Sequence, residues 1–282
     1  MEGTENQLGR RFDLWSLLRF AMPSIGTLAF LSLYTIVDGI FLARTTGTVA
    51  LSALNMSWPC MSLMFGLCAM VSAGGSAIVA KKMGEGKDEE AQRNFSALTA
   101  IMTAMGLSIT LFGILFLDGF VRLVGCSDLQ APYCHDYLLL LFAFAPAFCL
   151  QFLFQSFFIA AGKPGWGLWV TIAAGLTNMV LDYVLMVPLG MGILGAGLAT
   201  GLGCCVTMFT GLAYFTLQRK GTLYLRRPAL KVREFLHVCT NGSSELVTNM
   251  ALVVTGYLFN VSFLHYMGED GVAALAVVFY FE

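Results

Sequence analysis

Long stretches of this 282-residue chain run without a charged side chain for about the length of a membrane crossing, among them 20–37, 45–80, 94–117, 137–162, 183–218 and 246–266. A helix needs ~20 predominantly apolar residues to cross the hydrocarbon core, and the two longest runs have length to spare for tilting or bending back. Only 12% of the residues are charged and 57% are hydrophobic, whereas a soluble domain carries about 25% charged residues. The fold class that follows is all-α, a polytopic helical bundle in a membrane. Such a chain has no need of a nucleic-acid partner, and a net charge of -1 supplies none.

Charged and Gly/Pro-rich punctuation divides the chain into helices expected at 13–43, 48–80, 90–117, 133–161, 165–187, 193–218 and 232–266, with an eighth beginning near Val272. Orientation comes from lysine and arginine, which stay on the cytoplasmic side. Arg10, Arg11 and Arg19, then Lys81, Lys82, Lys87 and Arg93, then Lys163, then Arg219, Lys220, Arg226, Arg227, Lys231 and Arg233 all fall on one side of this topology. Only Arg44 and Arg122 fall on the other, beside Asp118, Asp128, Asp136, Glu269 and Asp270. The expectation is a multi-pass protein of a bacterial inner membrane with a cytoplasmic N-terminus. The first apolar stretch is too long for a cleaved signal peptide and lacks a cleavage-type end, so it acts as an uncleaved anchor.

Against this background two acids stand out. Asp38 ends an uncharged segment, and Asp182 lies at a matching place in the fifth. An ionised carboxylate in hydrocarbon costs at least ~2.5 kcal/mol on insertion scales, and a chain that keeps one usually uses it to relay a proton or cation. Both acids sit about five residues inside the outer ends of outward-running helices. Asn178 lies one turn deeper than Asp182 on the same face, and Thr200 about two turns down the sixth segment. At 1.5 Å per residue these groups share a depth of roughly 7–12 Å below the outer face. Asp38, Asn178, Asp182 and Thr200 can therefore converge if the first, fifth and sixth segments are neighbours. Their oxygens are hard ligands that suit Na⁺ or share one proton; the bland reading is a polar clasp between helices, worth only ~0.6 kcal/mol in a membrane. Glu245 lies deeper, about a dozen residues into the seventh segment, as a possible separate acid. Pro23 interrupts the hydrogen bonding of the first segment fifteen residues before Asp38 and offers either a hinge or a static kink.

Other residue types carry less. The Gly197/Gly201 pair permits close helix packing. Six cysteines lie in apolar stretches, where they behave as small hydrophobes. Cys126 and Cys134 share one outer loop and could form a disulfide. His135, His237 and His265 are scattered, with no metal-ligand spacing, and no phosphate loop, nucleophile elbow or zinc-protease motif occurs. No cofactor and no enzymatic activity are expected.

A faint internal repeat adds organisation. The segment around Pro23 to Phe41 resembles the one around Asn241 to Phe259, both running outward, which points to parallel six-helix units. The expected organisation is 1–218 as an N-terminal six-helix lobe, 219–233 as a cytoplasmic inter-lobe loop, and 234–282 as the start of a second lobe. On this expectation the second lobe is cut short and the chain is a fragment or truncated product of a roughly twelve-helix protein.

The ordered motifs Pro23, Tyr34, Val37–Phe41 (VDGIF), Ala50–Leu54 (ALSAL), Lys81–Lys87 (KKMGEGK), Ala161–Pro164 (AGKP), Asn178–Asp182 (NMVLD) and Gly195–Thr200 (GAGLAT) resemble the MATE (multidrug and toxic compound extrusion) family, specifically its DinF-like prokaryotic branch. The resemblance implies a twelve-helix, two-lobe antiporter that exports organic cations and other amphipathic compounds in exchange for H⁺ or Na⁺. It carries the family's cation-coupling residues onto Asp38, Asn178, Asp182 and Thr200 and its bending proline onto Pro23; Glu245 is similar to a seventh-helix acid of other branches. The partners it implies are a small-molecule substrate, membrane lipid and a C-terminal lobe needed for activity. A lipid-linked glycan flippase of the same superfamily would want a strongly basic central cavity, which is not evident here. A non-transporting membrane protein fragment would have no reason to place two acids at one depth.

Overall fold

The computed structural model describes residues 14–124, 126, 128–218 and 221–281, and every element among them is a helix. The order is α1 (Leu14–Gly84), α2 (Asp88–Leu115), α3 (Leu117–Val124), α4 (Ala131–Ala143), α5 (Ala145–Ala160), α6 (Pro164–Met186), α7 (Gly192–Leu217) and α8 (Val232–Phe281). Of the basic residues used to orient the chain, Arg10, Arg11, Arg219 and Lys220 lie outside the described residues.

The break expected at Arg44–Gly47 is not a loop: helical backbone continues from Leu14 to Gly84. The chain nevertheless reverses there, as its neighbours require. Gly26 lies against Leu168, Gly175 against Phe30, and the Phe41 ring against Tyr183, so the first arm of α1 runs parallel to α6. Ala53 meets Cys134, Phe65 meets Phe148 and Cys68 meets Cys149, so the second arm runs parallel to α4 and α5. Since α5 and α6 are antiparallel, with Gly167 against Phe158 and Gln155 against Thr171, the two arms of α1 must be antiparallel too. The turn falls between Phe41 and Ala53, and Gly47 is the residue there best suited to a sharp helical bend. Two crossings are retained without an intervening extended segment. The expected boundary near 267–271 is likewise absent, since α8 stays helical to Phe281.

The expected single helix at 133–161 is broken. Helices α4 and α5 meet at Phe144 with a bend of 55°. The cause is Pro146, which has no N–H to give the Phe142 carbonyl one turn back. The Thr110 hydroxyl takes its place, donating to Phe142 O at 2.7 Å from the neighbouring α2. Removing that donor leaves the Phe142 carbonyl only the strained Phe144 N–H, a loss of about 1 kcal/mol. Thr110→Val is therefore expected to lower the thermal unfolding midpoint in detergent, and Thr110→Ser to leave it near wild type.

The 118–136 segment, expected as a loop, contains the short helix α3, whose Phe120 ring packs 5.2 Å from Phe142. Cys126 and Cys134 are joined as a disulfide, tying this segment to α4. At the opposite end Gly162, with φ of 70°, takes the left-handed conformation that ends α5, and Lys163 N–H returns to Phe158 O at 2.9 Å. Pro164 then opens α6, so a glycine stop and a proline start make the connection as short as it is.

The core is aromatic. Phe95, Phe154, Phe157, Phe158 and Phe215 are fully buried between α2, α5 and α7, with ring centroids such as Phe95–Phe157 4.6 Å apart. Lipid is as apolar as a phenylalanine, so burial alone does not hold helices together in a membrane; close packing does. The two glycines expected to allow it do so, and Gly211 does the same. Gly197 faces Leu140, Gly201 faces Phe144 and Gly211 faces Phe154, each leaving the space a large side chain fills.

Candidate functional site

Three helices build the site. The first arm of α1 supplies Asp38, α6 supplies Asn178 and Asp182, and α7 supplies Thr200. The parallel run of α1 along α6 brings the two acids to one level, next to the Phe41–Tyr183 ring contact. Helix α7 approaches α6 closely because Gly203 has no side chain: a Cβ there would sit 3.2 Å from both the Ala174 carbonyl and the Asn178 Cβ. That approach sets Thr200 against Asn178.

Asp182 is wholly buried and Asn178 nearly so. The Asp38 and Asp182 carboxyls lie within reach of each other, and a hydrogen bond between two carboxyls requires a proton on one of them. Their Oδ1 atoms are both buried and find no donor among the described residues. The Asn178 amide can be placed two ways on the same heavy atoms. One points its nitrogen at Thr200 Oγ1 at 3.4 Å, leaving its oxygen among acceptors. The other donates from Nδ2 to Asp182 Oδ2 at 3.3 Å and accepts the Thr200 N–H at Oδ1, 3.2 Å away. The second satisfies both ends and is the orientation adopted here. Thr200 donates its hydroxyl to Ala196 O at 2.9 Å.

The structure thus brings together Asp38, Asn178, Asp182 and Thr200. Chemically the group can hold one proton between carboxyls. It can also offer two orphaned carboxylate oxygens and a hydroxyl to a small hard cation, with the amide turned over to add its own oxygen. Among the described residues no three His, Cys, Asp or Glu side chains gather as a metal site. Glu245 stands apart: it is exposed on α8, and its neighbours Leu246 and Asn249 pack on Gly66 in the other arm of α1. Pro23 lies on the first arm of α1, where the Thr27 hydroxyl donates to its carbonyl at 2.9 Å.

A cleft continues from Asn178 and Thr200, lined also by Gln151, Gln155, Thr171 and Thr207. Gln151 Oε1 and Thr207 Oγ1 are buried there without a partner among the described residues. It is a small polar cleft, of a size to take a water molecule or a bare ion. These four residues were absent from the sequence expectation. The available signal was two glutamines one turn apart, at 151 and 155, in an otherwise apolar run.

Fold and site together define a multi-pass helical membrane protein with two acids, one of them wholly buried, set between three of its helices. A profile of the MatE family matches residues 23–184, more than half of the chain, and the protein belongs to that family. The multidrug export protein MepA of Staphylococcus aureus is 23% identical over 94% of this chain and 58% of its own length. An outward-facing multidrug resistance MATE transporter of the MOP superfamily superposes with a TM-score of 0.86 at 20% identity, covering 93% of this chain and 58% of that one. A MATE structure in complex with MaL6 gives 0.87 at 20% identity, with 94% and 59% covered. The chain therefore spans less than two thirds of the length of the relatives it matches.

Proposed function

We propose that this chain supplies the N-terminal lobe and the opening of the second lobe of a cation-coupled antiporter that exports organic cations or other amphipathic compounds by alternating access. Residues 1–218 form the first lobe, 219–233 the cytoplasmic connection and 234–282 the start of the second, with the N-terminus in the cytoplasm. Asp38, Asn178, Asp182 and Thr200 bind the coupling H⁺ or Na⁺. Pro23 is the point at which the first arm of α1 changes shape, and Glu245 is a second-lobe acid outside the coupling group.

The observation that carries this reading is the Asp38–Asp182 pair, with Asp182 wholly buried and an orphaned, buried Oδ1 on each acid. Two carboxyls that share a proton in the absence of a cation release it when one enters, so occupancy follows the ion gradient. A ligand moves the protein between states only by binding one state better than the other. The wholly buried Asp182 makes that difference large, because its charge is tolerated only with a partner. The export function of MepA supports the substrate class. A glycan flippase gains no support, since no Lys or Arg lines the cleft beside the acids.

The test is efflux of a fluorescent cation from cells expressing the gene read to its natural stop, with Asp38→Asn alongside. Energy-dependent efflux abolished by Asp38→Asn is the expected result. Efflux that survives the substitution would demote Asp38 to a structural residue and move the coupling role to Glu245.

A further inference from the structure

The Lys/Arg-rich end of the bundle holds a polar network that the coupling site does not use. Its hub is Lys82, the last lysine of α1, whose side chain is only 15% exposed. Lys82 Nζ lies 2.9 Å from Glu234 Oε1 on α8 and 3.2 Å from Glu90 Oε2 on α2. With the Asn94 amide turned so that both ends are satisfied, Lys82 also donates to Asn94 Oδ1 at 2.9 Å, and Asn94 Nδ2 donates to Ala229 O at 3.0 Å.

The segment between α7 and α8 is stitched down beside this hub. Gln92 Nε2 donates to Thr222 O at 2.9 Å, the Arg226 N–H to Ser96 Oγ at 2.7 Å, and the Ala229 N–H to Arg93 O at 3.3 Å. Gln92, Asn94 and Ser96 are buried under the segment, and so is Leu223 within it. The connection is therefore a strap laid across the first turns of α2, and it delivers the start of α8 to Lys82.

One and two turns further along α8, backbone meets backbone. A Cβ on Gly74 would collide with the Val238 carbonyl, and one on Gly242 with the Met70 carbonyl. Lys82–Glu234, Gly74–Val238 and Gly242–Met70 form one antiparallel seam between the second arm of α1 and α8. The seam continues to Gly66, which packs on Leu246 and Asn249, while Val247, Leu252 and Leu258 of α8 are 58–64% exposed.

We propose that Lys82 is a latch, holding the basic end of the α1–α8 seam shut through its ion pair with Glu234. Of its three partners only Glu234 lies across the seam; Glu90 and Asn94 belong to α2, on the same side as Lys82. Parting α8 from α1 at this end must break the Lys82–Glu234 pair, whereas the Glu90 and Asn94 contacts survive and keep the lysine in place to close again. This rests on the exporter reading for its purpose, since alternating access requires the two lobes to part at the cytoplasmic end. Opening, in this scheme, exchanges Glu234 for solvent at an otherwise intact hub. The charged and titratable groups around Glu234 are Lys82 and Lys231, with Arg233 next to it in the chain.

The reporter is native Cys239, half-buried and next to the seam residue Val238 in the chain. A membrane-impermeant maleimide is applied to inside-out vesicles holding the full-length protein, and Cys239 labelling is followed by peptide mass spectrometry. Glu234→Gln is expected to raise the labelling rate about fivefold, the effect of an ion pair of about 1 kcal/mol. Glu90→Gln, which removes a same-side partner, is expected to leave the rate within twofold. Equal rates in wild type and Glu234→Gln would overturn the latch, and so would an equal rise in both variants. The readout needs no transport, so loss of the exporter reading and loss of the latch are told apart by running Asp38→Asn beside them.

Discussion

Asp182→Asn is expected to lower the initial rate of cation efflux at least tenfold while leaving the protein folded. The asparagine fills the same space and can still accept from the Asn178 amide, which donates to Asp182 Oδ2 at 3.3 Å in the wild type. What it cannot do is take part in a shared proton or offer a charge to a cation. Loss of even an outer hydrogen-bond partner of an ion ligand costs about 10–100-fold in affinity, so tenfold is a lower bound for a ligand itself. The sharper expectation concerns the double variant. On the proposed reading Asp38 and Asp182 bind one coupling ion together, and residues that act as a unit are grossly non-additive. Asp38→Asn/Asp182→Asn should therefore transport as slowly as either single variant, not as the product of the two losses. The check is efflux kinetics in energised vesicles with expression matched by immunoblot. Losses that multiply would mean two independent sites.

The members of this site could be named from the sequence because charge in a membrane is costly. Asp38 and Asp182 have no business in uncharged helices unless paired or used, so each stands out, and depth counted from the helix ends placed them together. Asn178 and Thr200 followed from their distance to Asp182 along the chain. Gln151, Gln155, Thr171 and Thr207 did not emerge because a neutral polar side chain costs little there. Thr171 returns its hydroxyl to Gly167 O at 2.9 Å, a bond any helix can provide, so a threonine in such a run signals nothing by itself. Only the packing of α5 against α6 and α7 reveals that these side chains look into one cleft.

Helices themselves were legible from charge-free length, and their ends less so. The bend at Phe144 was written in Pro146, yet a single long apolar run hides a bend that a neighbour repairs, as Thr110 does. The turn between Phe41 and Ala53 keeps its helical backbone, so the charged and glycine-containing stretch at Arg44–Gly47 marks a reversal of direction and not an exit from the helix. Helix α3 was missed because eight residues are too few for periodicity to register, and Asp118 and Arg122 make it look like loop. The strap at 221–231 was read as a basic connection. Its ties to α2 run through Gln92, Asn94 and Ser96, whose partners are mostly backbone groups that no side-chain pattern announces.

Gly74→Val and Gly242→Val are expected to destabilise the protein by about 3 kcal/mol each, the upper part of the usual range for overpacking. At both positions the obstacle is a backbone carbonyl of the partner helix, of Val238 in one case and Met70 in the other. A side chain can rotate away from an added methyl; a helical carbonyl cannot move without its helix. Gly66→Ala should cost less, since its added Cβ meets the movable Leu246 Cδ1 at 3.0 Å and the Asn249 Cβ at 3.2 Å, and no backbone carbonyl. Gly84→Ala, with nothing within 4 Å, should be neutral or stabilising by up to about 1 kcal/mol through helix propensity alone. Thermal unfolding midpoints in detergent should therefore rank Gly84→Ala highest, Gly66→Ala next, and the two valine variants lowest. The ranking separates the seam from mere glycine content, because all four positions are helical glycines and differ only in what faces them. If Gly242→Val melts with Gly84→Ala, α1 and α8 already part at this point without cost, and the Lys82–Glu234 pair has no closed seam to hold.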